Sequence, residues 1–105
     1  MKVLIVDDHA LFRVGLQGLL ERRGLQVVGA AAEGEEGLRL AQTLNPDVVL
    51  LDLRMPDLGG LSVLRHMMQQ GLDIPVVMLT TSADESDLSE SLRNGARGYL
   101  LKDME

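Results

Sequence analysis

VLIVDDHALF, residues 3–12, runs four apolar residues straight into two adjacent aspartates. A second run, VVLLDL at 48–53, ends on Asp52 in the same way. Neither run alternates apolar with polar positions. Short, continuously apolar runs fit strands of a parallel sheet that is covered on both faces. Bare carboxylates at the ends of such strands then need a reason to be there.

The totals narrow that reason. The chain has 105 residues, enough for one domain. Hydrophobic residues make up 46%, yet Phe12 and Tyr99 are the only aromatics, so the core must be built from Leu, Val, Ile, Ala and Met. With no cysteine there is neither a disulfide frame nor a thiolate metal site. A net charge of −6 repels nucleic acid. No apolar stretch approaches the roughly 20 residues of a membrane helix. The opening MKVLIVDDH ends its apolar run in acid where a signal peptide would offer small residues. The expectation is a soluble cytoplasmic protein with no membrane partner.

Strand-like runs recur at 3–6, 27–30, 47–51, 75–79 and 98–101, with no long linker, low-complexity tract or repeat. Helical periodicity lies between them. Phe12, Leu16, Leu19 and Leu20 form one stripe, which Gly24 should stop. Leu38, Ala41 and Leu44 form the next; Glu33, Glu35 and Glu36 suit its positive N-terminal end, and Asn45-Pro46 ends it. Leu61, Leu64 and Met68 mark a third helix. Ser82-Ala83-Asp84-Glu85, a capping-box pattern, opens a fourth through Leu88 and Leu92, which Gly95 closes. Strands alternating with helices predict an α/β fold, a doubly wound parallel sheet with helices on both faces. Periodicity leaves the strand order open. The sequence ends at Lys102-Asp103-Met104-Glu105, directly after the fifth strand. Four helices then serve two faces. A helix-sized bare patch of about 400 Å² would forfeit roughly 10 kcal/mol as an upper bound. A second chain, a shifted segment or a helix outside this sequence is expected to cover it.

Open parallel sheets bind ligands beyond the carboxyl ends of their strands. At that edge stand Asp7 and Asp8 after strand one, Asp52 at strand three, Thr80 with Thr81 and Ser82 at strand four, and Lys102 at strand five. Two carboxylates about 4 Å apart repel by roughly 4 kcal/mol at an effective dielectric near 20. Either some are protonated or a cation sits among them. Oxygen ligands favour Mg²⁺ or Mn²⁺ over Zn²⁺. Carboxylates, a lysine and a hydroxyl also suit phosphoryl handling, in which an aspartate can be the nucleophile.

These residues carry a resemblance. VLIVDDH, VVLLDLRMPDLGGL, VVMLTT and GARGYLLKD, in order and over essentially the whole chain, resemble the receiver domain of two-component response regulators. GARGYLLKD is most similar to the LuxR-type, nitrate-regulator-like branch. The resemblance implies a flavodoxin-like five-stranded sheet of order 2-1-3-4-5 whose usual fifth helix this sequence lacks. It implies a phosphoryl group received from a histidine kinase, and DNA bound only through a C-terminal domain that is absent here. The chain would catalyse its own phosphorylation and dephosphorylation but no turnover reaction. Carried over by position, Asp52 is the phosphoacceptor and Asp8 a direct Mg²⁺ ligand. Asp7 holds the metal through water, and Asp52 and the backbone carbonyl of Arg54 complete its set. Thr80 is the switch hydroxyl, Lys102 the phosphoryl partner and Tyr99 the aromatic that reports the state. Pro56, Gly59 and Gly60 shape the loop after the acceptor. Asp103 stands where many receivers place proline. A switched face would favour a dimer, and the surface left by the missing helix leads to the expectation of a swapped or face-packed homodimer.

Blander readings stand beside these. Asp7 and Asp8 alone would serve as caps of the helix starting near Ala10, and Thr80 as an ordinary strand-end hydroxyl. Tyr99 would serve as an edge aromatic and Lys102 as a solvated tail. His9 invites a metal reading, which is set aside because Asp8 already fills that need. His66 reads as solvated, and Met67 and Met68 as packing. Arg54 and Ser82 border the acceptor and would tune dephosphorylation. One alternative function is a Mg²⁺-dependent phosphohydrolase with an aspartyl nucleophile. Such enzymes want an Asp-x-Asp pair and a lid, and neither is present here. The other is a binding module that takes no phosphate. A nucleotide or flavin site lacks its glycine-rich loop.

Overall fold

Five parallel strands carry the architecture, in a computed structural model that describes residues 1–81 and 85–102. The order along the chain is β1 (Lys2–Val6), α1 (Ala10–Arg22), β2 (Gln26–Ala31), α2 (Gly34–Leu44), β3 (Val48–Asp52), α3 (Gly60–Gln69), β4 (Val76–Thr80), α4 (Glu85–Arg93) and β5 (Gly98–Leu101). The sheet order is β2-β1-β3-β4-β5, and all four pairings are parallel. The strands lie within a residue or so of the apolar runs that predict them. Helix ends follow the expected signals: Gly24, Asn45 and Gly95 all have positive φ, at 86°, 48° and 107°. The expected capping residues Ser82, Ala83 and Asp84, and Asp103, lie outside the described residues.

Chain direction and handedness place the helices. The step from β1 to β2 runs one way across the sheet, and every later step runs the other way. Right-handed crossovers then put α1 alone on one face and α2, α3 and α4 on the opposite face. The main core lies on the three-helix side. There Leu4, Val6, Val49, Leu51, Val76 and Met78 meet Ala41, Val63, Leu64 and Met67. Strand alternation turns Ile5, Leu79 and Leu100 to the α1 side.

That face is thinly covered. No residue of α1 is fully buried, and Leu11 is 89% and Val14 66% exposed. Leu100 on β5 is exposed as well. The bare patch expected from four helices is therefore present among the described residues. Three stripes need correction. On α1, Leu19 is exposed while Phe12, Leu16 and Leu20 are half-buried. Met67, not Met68, enters the core from α3, because the helical repeat carries Gly60, Val63, Leu64 and Met67 inward. On α4 the buried residue is Ser91, whose hydroxyl donates to Asp87 O at 2.9 Å, while Leu92 is exposed.

One contact ties the loop after β3 to α2. Glu33, the residue at the α2 N-cap, makes no side-chain capping bond. Asp57 makes it instead: Gly34 N–H donates to Asp57 Oδ1 at 3.1 Å and Glu35 N–H to Oδ2 at 3.2 Å. The close seat requires glycine, since a Cβ on Gly34 would lie 2.3 Å from Leu58 O. The N–H groups of Leu58 and Gly34 hold the Asp57 carboxyl below its ordinary value of 3.8. Its contribution to stability is therefore present above pH 3.8 and is lost as pH falls through the lower folded-state value. Asp57→Ala should cost about 1 kcal/mol at neutral pH. Urea unfolding followed by circular dichroism should show that cost, retention of most of the stability in Asp57→Asn, and a gap that closes in acid.

Candidate functional site

The central strands bring the predicted residues to one edge. Asp7 follows β1, Asp52 ends β3, Thr80 ends β4 and Lys102 follows β5, and all four are buried. Backbone bonds extend the sheet ladder to hold them. Asp7 N–H donates to Ala31 O at 2.9 Å, Leu53 N–H to Leu79 O at 2.8 Å, and Lys102 N–H to Thr80 O at 2.7 Å. Helix α3 begins hard against this edge. A Cβ on Gly60 would lie 2.2 Å from Asp52 O, so the close approach requires glycine.

Lys102 is the cation of the cluster. Its side chain is fully buried, with Nζ 2.9 Å from Asp7 Oδ2 and 3.5 Å from Asp52 Oδ2. Nζ also lies 4.5 Å from the centre of the Phe12 ring on α1. Asp7 Oδ1 accepts the backbone N–H of His9, the N-cap residue of α1, at 2.8 Å. Asp7 thus joins the site and also braces the start of the helix. Asp7, Asp8, His9 and Asp52 each offer a ligand atom, and these atoms lie within 4.8 Å of one another. Asp8 Oδ1 is buried with no hydrogen-bond partner. An unpartnered carboxylate oxygen inside a group of acids could serve as a ligand to a divalent cation.

The remaining predicted residues take their places around this centre. Arg54 lies two residues beyond Asp52, with its exposed guanidinium 3.0 Å from Asp87 Oδ2 on α4. Tyr99 is half-buried on β5, packed on the core and paired in register with Met78. Pro56 is exposed, Gly59 is the N-cap of α3 and Gly60 its first residue. Sequence reasoning underrated three residues at the start of α1. His9 turns its ring into the cluster, Phe12 lies beneath Lys102, and Arg13 donates to Asp7 O at 2.6 Å. Their only signal was position, in the first turn after the acid pair.

Burial drives the protonation of Asp52. Desolvation first, then the neighbouring charge of Asp7, raise its carboxyl from 3.8 to about 6, against the pull of Lys102. A folded-state value above the unfolded one means that stability falls as pH rises from about 4 to 6 and stays lower above. Asp52→Asn removes this cost. In a chelator at pH 7 the variant should be more stable than the wild type by about 1 to 3 kcal/mol, an advantage that disappears below about pH 4. Urea titrations at the two pH values measure it.

Comparison with known proteins agrees with the geometry. Residues 3–105 match the family described as response regulator receiver domain. The nitrate/nitrite response regulator NarL of Escherichia coli K12 is 42% identical over 98% of this chain and 48% of its own length. The chain thus spans about half the length of this relative. The signal receiver domain of the putative response regulator NarL from Mycobacterium tuberculosis superposes with a TM-score of 0.94 at 36% identity, covering 99% of this chain and 85% of that one. CheX–CheY–BeF₃–Mg²⁺ from Borrelia burgdorferi contains a chain that matches with a TM-score of 0.93 at 28% identity, covering all of this chain and 80% of that one. The chain belongs to the response regulator receiver domain family and stands with its nitrate-regulator-like, LuxR-type members.

Proposed function

We propose that this domain is a phosphoacceptor switch, taking a phosphoryl group from a histidine kinase onto Asp52. The observation that carries the reading is the burial of Asp52 beside Asp7 and Asp8 with the Lys102 ammonium 3.5 Å away. With its pKa raised to about 6, Asp52 is mostly ionised at neutral pH and offers a carboxylate oxygen as nucleophile. Attack on phosphorus forms an O–P bond and breaks the P–N bond of a phosphohistidine. The electron pair leaves with the donor imidazole, and an acyl phosphate remains on Asp52.

Asp7, Asp8, Asp52 and the carbonyl of Arg54 would hold Mg²⁺, and Mn²⁺ suits the same oxygen donors. The unpartnered Asp8 Oδ1 supports that assignment. So does the magnesium in the Borrelia complex, whose chain shares this fold. When bound, the cation offsets the negative charge of the phosphoryl oxygens. The protein's own part is to place charge and hydrogen bonds. Lys102 donates to one phosphoryl oxygen, and Thr80, buried at the end of β4, offers its hydroxyl to another. A shift of Thr80 passes to Tyr99 and the α4–β5 face, because β4 and β5 are paired along their length. Residues 1–105 act as the receiver unit, and the relatives' greater length fits an attached DNA-binding output domain. No turnover substrate is involved.

Intact-protein mass after incubation with acetyl phosphate tests this. One phosphoryl adduct is expected with Mg²⁺, and none with chelator or in Asp52→Asn. An adduct retained by Asp52→Asn, or none on a folded wild type, would contradict the reading.

A further inference from the structure

His9 is the one member of the cluster that this mechanism leaves without a task. Its ring nitrogen Nδ1 lies 2.8 Å from Lys102 Nζ, 3.1 Å from Asp7 Oδ1 and 3.5 Å from both Asp8 Oδ1 and Asp52 Oδ2. These contacts cannot all be hydrogen bonds of one kind. An ammonium only donates, so at 2.8 Å Nδ1 must carry a lone pair and accept from Lys102. The ring proton then sits on Nε2. The short approach to Asp7 is two acceptors facing the same ammonium, and not an ion pair. The His9 backbone N–H, bonded to Asp7 Oδ1, fixes where the ring can reach.

The consequence falls on Lys102. A fully buried ammonium needs partners: it ion-pairs with Asp7 Oδ2 at 2.9 Å, meets the imidazole at 2.8 Å and donates to Asp52 Oδ2 at 3.5 Å. Phe12 closes another side. The lysine therefore rests on Asp7, an acid that the proposed cation also uses.

We propose that His9 is a positioning residue that holds the Lys102 ammonium on Asp7, so that the lysine is a built-in competitor that a divalent cation must displace. This rests on the metal part of the function proposed above. Once displaced from Asp7, the ammonium keeps Asp52, to which it already donates, and that is where a phosphoryl group would arrive. Removing the imidazole lone pair loosens the lysine's hold on Asp7 and favours the cation.

Two measurements on the unphosphorylated protein test this: Mn²⁺ titration by electron paramagnetic resonance, and ¹⁵N resonances of the lysine ammonium groups without metal. His9→Ala should bind Mn²⁺ roughly ten- to a hundredfold more tightly, the size expected for one lost hydrogen bond to a charged group, and shift the Lys102 resonance. His9→Asn keeps a carbonyl acceptor near the position of Nδ1 and should restore wild-type values. Unchanged or weaker Mn²⁺ binding in His9→Ala would overturn the proposal, the weaker case making His9 a ligand. A Lys102 resonance unshifted in His9→Ala, with the wild type binding Mn²⁺, would overturn this proposal alone. Failure of the wild type to bind Mn²⁺ would overturn the metal reading and this proposal together.

Discussion

Everything at the carboxyl edge follows from one electrostatic imbalance. Asp7 and Asp52 are buried and Asp8 partly so, and the only buried ammonium beside them among the described residues is that of Lys102. Charges taken out of water need partners. The protein meets this by drawing Lys102 against Asp7 and, below about pH 6, by protonation of Asp52. An Asp8 oxygen remains unpartnered. A divalent cation held as proposed would supply the positive charge that this cluster lacks. The sheet holds the acids in place, because each sits at or just past the end of a hydrogen-bonded strand.

Rigidity is not uniform around the site. β1, β3 and β4 lie between neighbours and are buried, so Asp7, Asp52 and Thr80 are fixed by packing. The loop from Leu53 to Gly59 has less of its own support. It is secured at one end by Gly60 N–H donating to Leu53 O at 2.9 Å and in the middle by Asp57 at the start of α2. Arg54, whose carbonyl is assigned to the cation, lies within that loop, and its side chain reaches Asp87 on α4. The acceptor strand, the loop and α4 are therefore mechanically adjacent. A signal beginning at Asp52 needs to travel only one or two contacts to reach the α4–β5 face.

Much of this was legible in the residues themselves. Parallel strands buried on both faces read as plain apolar runs, so the strands were found nearly to the residue. Their carboxyl ends listed the acids, Thr80 and Lys102 without further information. The strand order came only with the resemblance, because apolar runs carry no record of their neighbours. What stayed hidden depends on tertiary placement. Asp57 caps a helix that begins 23 residues earlier, and nothing local to it marks that role. His9 looked redundant beside Asp8 until Lys102, 93 residues away, was seen to point at its ring. The last member of the α3 stripe was displaced by one residue because Met67 and Met68 are identical in type, and only packing chooses between them.

The central claim is that Asp52 is a buried, poorly neutralised carboxylate in a site made for a cation. Site-resolved ¹³C titration of the aspartate carboxyls, with and without Mg²⁺, tests it most directly. The account predicts a midpoint for Asp52 near 6 in chelator, moving to or below the ordinary 3.8 when Mg²⁺ is present. A midpoint near 3.8 without metal, or one that Mg²⁺ leaves unmoved, would contradict it.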